Sequence, residues 1–152
     1  MEHIDSIIKL QHLTLVIFCI VISVIDIKTF CIPDMLLLLL LGLLIFADCF
    51  KGYSFVLNNF LSAAIIFALF FCIFYFIGSL GFGDVKYAAV LAYGLGGRGI
   101  YLALVVATIS GLFLFFVGYS FLGWNKKTRV PFAPLLSLGV IFSIIIGWGI
   151  NL

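Results

Sequence analysis

Charge is what this sequence has least of: Asp, Glu, Lys and Arg make up 9% of its 152 residues. A water-soluble fold needs far more to cover its surface, so the scarcity excludes an ordinary soluble domain. Excess charge is lacking too. A net +2, with basic residues dispersed apart from Lys126, Lys127 and Arg129, gives no footing for nucleic acid. The four cysteines (Cys19, Cys31, Cys49, Cys72) form no C-x-x-C pair, so a zinc knuckle is not expected and no metal site is visible. Cys31 and Cys49 flank one apolar run and lie about 27 Å apart on a helix, too far for a bridge. The N-terminal stretch MEHIDSIIKLQH carries acids beside Lys9, and no small-x-small site closes the run after it. The first apolar segment is therefore expected to stay as a span rather than be cleaved.

What fills the chain is apolar: 66% hydrophobic and 17% aromatic, with a mean hydropathy of +1.41. Long runs without period-two alternation mean helices rather than a barrel. The fold class is an all-α integral membrane protein in a lipid bilayer, with residues 1–152 forming one transmembrane helical domain. Six spans are expected: Ile7–Asp26, Asp34–Phe50, Phe55–Ser79, Asp84–Leu95, Ile100–Leu122 and Pro134–Ile150. The fourth gives only about 18 Å of helix against a core of roughly 30 Å, so it is a short or partial span. The glycine-rich break GSLGFG before it is expected to line a cavity, because non-helical backbone at membrane depth must be buried or wet.

With six spans the odd-numbered loops hold Lys28, Lys86, Lys126, Lys127 and Arg129, against Lys9, Lys51 and Arg98 on the other side. The positive-inside rule places the odd loops in the cytoplasm. Trp124 and Trp148 fall at opposite ends of the last helical pair, as interfacial aromatics should. GLGGRG (residues 94–99) matches a dinucleotide-binding pattern, but no strand precedes it, and it reads as a tight turn.

Six acids occur in the chain. Glu2 and Asp5 belong to the exposed N-terminus, and Asp48 reads as an interfacial anchor. Asp26, Asp34 and Asp84 share the cytoplasmic side. Ionisable groups at the edge of a span cost several kcal/mol unless paired or hydrated, which makes them functional candidates. The alternative for Asp26 is an ion pair with Lys28 or Lys86 among the headgroups. Asp84 starts a helix, where the dipole favours an anion, just after Gly81 and Gly83 open the backbone. Asp26 ends one span and Asp84 begins another, so packed helices can bring them together. Two carboxylates in one site do not both ionise easily, and one keeps a proton. The ionised member draws a proton from water, which attacks a peptide carbonyl; the protonated member hydrogen-bonds the carbonyl oxygen and helps the amine leave. His3 and His12 lie on the opposite side, and no Ser-His or Cys-His dyad assembles.

These residues have a known pattern. VIDIKTFCIPD with Asp26, Pro33 and Asp34, then GFGDVK with Gly81, Gly83, Asp84 and Lys86, resembles the type IV prepilin peptidases, membrane aspartyl proteases with a G-x-G-D motif. VPFAPLLSLG (residues 130–139) resembles that family's late I-P-F-G-P block. The resemblance implies a peptidase of the bacterial cytoplasmic membrane. It removes the short basic leader of prepilin or pseudopilin precursors at the cytoplasmic face, with no cofactor. Asp26 and Asp84 match the catalytic pair; Lys86, Pro33 and Asp34 match supporting positions, with Asp34 expected to shape the turn after Pro33. Many members carry an N-terminal zinc-binding extension and methylate the new N-terminus. This sequence shows neither the extension nor its C-x-x-C pairs, so the likeness is to short, peptidase-only members and does not extend to methylation. Other readings are a preflagellin or presenilin-like protease, and a non-catalytic component of a pilus or secretion assembly. The late PF-x-P block favours the prepilin group. A transporter would show a repeat and paired broken helices; one broken segment and no repeat are present.

Overall fold

A lipid core offers no hydrogen-bond partners, so each apolar run satisfies its backbone internally as a helix. The computed structural model describes residues 2–78, 80–121 and 130–150, and within them five helices follow one another. They are α1 (Glu2–Thr29), α2 (Asp34–Cys49), α3 (Tyr53–Ile77), α4 (Phe82–Phe121) and α5 (Ala133–Ile150). Pro33, with φ −68° and ψ 121°, stands in extended conformation at the start of α2, where its missing N–H costs nothing.

Three helices contain stretches long and apolar enough to cross a membrane: Ile4–Thr29, Tyr53–Phe76 and Phe82–Ser120. Only 6% of the apolar window in α3 is buried, so nearly all of that helix faces outward. Phe60, Phe76, Leu112 and Phe113 are each about two-thirds or more exposed, a surface suited to acyl chains rather than water. Inside, Leu15, Ile22, Leu40, Leu44, Leu91, Leu136 and Val140 form a closed apolar core.

Among the described residues five helices stand where six spans were expected, because the fourth and fifth expected spans are joined without a loop in α4. It is not straight. Gly96 has φ 68° and ψ 176° inside it, a backbone state that only glycine adopts readily. The packing fixes what this break does. Tyr87 bonds Ser137 of α5, Ala103 abuts Gly139, and Ser143 bonds the Gly99 carbonyl. In an unbroken helix residues 87 and 103 lie about 24 Å apart, yet residues 137 and 139 are only about 3 Å apart along α5. The chain therefore reverses at Gly96, and residues 82–95 and 97–121 run in opposite directions beside α5. One residue replaces the expected loop, and GLGGRG does contain the turn. The first limb is about 21 Å long, so the short fourth segment is present.

The second limb meets α5 backbone to backbone. A Cβ on Gly139 would lie 2.1 Å from the Ala103 carbonyl oxygen, so only glycine permits this approach. The basic cluster at 126–129 and Trp124 lie outside the described residues, as does the side chain of Trp148.

Candidate active site

Three helix ends converge at one end of the bundle. Asp26 is in the last turns of α1 and is 5% exposed. Its Oδ2 accepts the Ala133 N–H at 3.1 Å. The sequence PFAPLL explains the geometry. Phe132 offers its carbonyl to Leu135 and Leu136, which starts α5, and Pro134 has no N–H to give. The Ala133 donor would be an orphan of the first turn, and Asp26 takes it from 107 positions earlier in the chain. The N-terminal end of a helix is a favourable place for that carboxylate.

Asp84 lies in the first turn of α4 and folds back on the turn before it. Its Oδ2 accepts the Gly81 N–H at 3.2 Å, while the Asp84 N–H bonds the Gly81 carbonyl at 3.0 Å, a reciprocal cap. The first glycine of the motif serves close approach. A Cβ on Gly81 would lie 3.1 Å from Asp84 Oδ2, so Gly81 lets the carboxylate turn back, whereas one on Gly83 would meet the Ile32 Cβ at 3.4 Å, an ordinary packing distance. The helices of Asp26 and Asp84 meet one turn further in, where Ser23 and Tyr87 both bond Ser137.

The Asp34 carboxylate, in the first turn of α2, accepts from Lys86 Nζ with both oxygens at 2.8 and 2.9 Å, with the ammonium 4.8 Å from the centre of the Phe82 ring. Lys86 is thereby paired with Asp34 and not with Asp26, and neither Asp26 nor Asp84 has a basic partner among the described residues.

A groove of about 320 Å³ lies between α2, α3 and the first limb of α4, with Leu37, Leu41, Phe67 and Val90 along its walls and Asp34 and Lys86 also lining it. The glycine break was expected to line a cavity. It does not line this groove, whose walls come from residues 34–41, Phe67 and residues 86–90.

At the opposite end, Asp48 corrects another expectation. Rather than an interfacial anchor, it is fully buried. It accepts Asn59 Nδ2 at 2.7 Å and Gln11 Nε2 at 3.3 Å, and it pairs with Lys51 Nζ at 3.0 Å. Lys51 also donates to the Gln11 side-chain Oε1. His12, beside Gln11, feels the Lys51 charge and so lies at this end, away from Asp26 and Asp84.

Residues that the sequence reading passed over stand one turn inside the candidate site. Tyr87 and Ser137 are buried and share a 2.7 Å hydrogen bond, with Ser23 donating to Ser137 at 2.7 Å. Their spacing was a usable signal: Ser23 precedes Asp26 by three positions and Tyr87 follows Asp84 by three, which puts each on its aspartate's helix face.

The type IV leader peptidase family matches residues 13–117, a stretch that contains both Asp26 and Asp84. The prepilin leader peptidase/N-methyltransferase of Pectobacterium carotovorum subsp. carotovorum is 31% identical over 147 residues, or 92% of this chain and 52% of that protein. The chain thus spans about half the length of the curated relative it matches. No solved structure matches it. By the extent of the family match, this chain belongs to the type IV leader peptidase family.

Proposed function

We propose that this protein is a membrane aspartyl endopeptidase that removes the short basic leader from prepilin or pseudopilin precursors, with Asp26 and Asp84 as its catalytic residues. One observation supports the reading: Asp26 and Asp84, 58 positions apart in the sequence, stand at the same end of the bundle, each held by a backbone N–H and neither in an ion pair among the described residues.

The chemistry follows from that pairing. One carboxyl is ionised and the other holds a proton. The ionised member accepts a proton from water as the water oxygen bonds to the scissile carbonyl carbon. The protonated member donates to the carbonyl oxygen. As the tetrahedral intermediate collapses, the C–N bond breaks and the amine leaves with a proton from the pair. The Ala133 and Gly81 N–H groups hold the two carboxyl groups in orientation throughout. Preformed orientation of this kind is worth far more than the hydrogen bonds themselves.

The substrate follows from family membership and from the relative's name. The cytoplasmic face is supported by the sequence's charge bias, five basic residues in the odd-numbered loops (Lys28, Lys86, Lys126, Lys127 and Arg129) against three (Lys9, Lys51 and Arg98) elsewhere, and the bacterial inner membrane by the family resemblance. The test uses full-length protein in proteoliposomes, a precursor with a basic leader, and mass spectrometry of the products. Asp26→Asn and Asp84→Asn should each abolish leader removal while inserting normally. Wild-type cleavage by either variant would remove that residue from the mechanism.

A further inference from the structure

Immediately below the two aspartates, α1, α4 and α5 are joined by hydroxyl groups. Tyr87 follows Asp84 by one turn, Ser23 precedes Asp26 by one turn, and Ser137 follows Ala133 by one turn. Tyr87 is 0% and Ser137 4% exposed. Ser137 Oγ accepts from Ser23, meets the Tyr87 hydroxyl at 2.7 Å, and donates to the Ala133 carbonyl at 2.8 Å. The Cys19 carbonyl is within 3.3 Å of the same hydroxyl, and Cys19 Sγ is 3.3 Å from the Tyr87 oxygen. Ala133 has a double attachment: its C=O goes to Ser137 and its N–H to Asp26.

A continuous path therefore runs from the helix of Asp84 to the carboxylate of Asp26, through Tyr87, Ser137 and Ala133. We propose that Tyr87 and Ser137 are positioning residues for the proteolytic reaction, setting the distance and angle between the two carboxyl groups by locking α1 and α4 to α5. This rests on the aspartyl peptidase reading and adds to it the device that holds the pair. Apolar packing alone would be the easier way to join three helices in lipid. A tyrosine hydroxyl in that layer costs free energy unless its partners are placed for it. Here every hydroxyl has a partner, and the partners lie on the three elements whose ends make the site. Helices that are otherwise free to slide by a fraction of a turn are held in one register.

The test measures initial rates with purified full-length protein in proteoliposomes and a synthetic precursor that joins a basic leader to a hydrophobic helix. Tyr87→Phe keeps the ring and removes one hydroxyl; Ser137→Ala removes the other. Each should lower kcat by about ten- to a hundredfold, the range expected for misplacing reacting groups by a fraction of an ångström to one ångström. KM should stay as in the wild type, since neither side chain faces the bilayer-exposed surface where a substrate helix would lie. Thermal melts of the same samples report the folded fraction. Wild-type kcat in both variants, a change in KM alone, or a kcat loss that merely follows the folded fraction would overturn the inference. Asp26→Asn is measured alongside. If it cleaves normally the aspartyl reading fails; if it is inactive while Tyr87→Phe is normal, only the positioning role fails.

Discussion

Asp26 and Asp48 are both buried carboxylates on apolar helices, one at each end of the bundle, and they are held in opposite ways. Asp48 is saturated. An amide from α1, an amide from α3 and the Lys51 ammonium all converge on it, so its charge is neutralised and its lone pairs are used. Among the described residues Asp26 accepts one backbone N–H, as does Asp84, and neither is in an ion pair. Burial of a charge in a membrane is tolerated when it is paired. One end of the molecule uses that rule to tie helices together. The other leaves it unmet, which is what proton chemistry requires.

The comparison can be broken by mutation, and the largest stability effect belongs to the saturated end. Asp48→Ala leaves the Lys51 ammonium buried without its partner, together with two amides, and should destabilise the fold by about 3–5 kcal/mol. Thermal melts in detergent measure this. The protein that remains folded should still cleave at the wild-type rate per molecule, because the end that holds Asp26 and Asp84, the proposed catalytic pair, is untouched. A selective loss of cleavage with an unchanged melt would erase the distinction drawn here.

Next comes the close contact that holds α5 against the second limb. Gly139→Ala drives a methyl into the Ala103 carbonyl. Because both sides are backbone, the helices must part, at a cost of about 1–3 kcal/mol or more. Gly94→Ala is a useful contrast, since it meets only the flexible ends of Leu15 and Leu44, and its melt should shift less. Gly96→Ala must hold φ near 68° with ψ near 176°, which costs about 1–3 kcal/mol for a residue with a Cβ. It is the direct test of the chain reversal: an unshifted melt would mean that the strain at this residue is absent. The smallest effect should come from the Asp34–Lys86 pair. Asp34 is 61% exposed at its side chain, so Lys86→Met should change stability by no more than about 1 kcal/mol.

Much of this was legible in the sequence. Apolar runs gave the helices, and a segment too short to cross announced the first limb of α4. The glycine cluster marked the turn, although its form was not readable: a loop and a single left-handed residue look alike in sequence, and the count of helices turns on that difference. Asp26 and Asp84 stood out because so few charges surround them. Asp48 was misread because its partners, Gln11 and Asn59, come from helices far apart in sequence. A polar residue inside an apolar run signals a partner without naming it. The pairing of Lys86 with Asp34 rather than Asp26 was a matter of side-chain reach across α2 and α4, which spacing alone does not decide. Tyr87 and Ser137 were passed over for the same reason, since hydroxyl groups carry meaning only once their neighbours are known.

The central claim is that two acids act as one unit, and a double-variant cycle tests it most directly. Cleavage of a precursor is compared for Asp26→Asn, Asp84→Asn and the variant carrying both, with the amount of folded protein equalised. A shared proton and a shared water predict that either single change removes nearly all the acceleration, about 10²–10⁴-fold, and that the double variant is no slower than the singles. Two partial losses that multiply in the double variant would mean that the aspartates act independently, and would contradict the account.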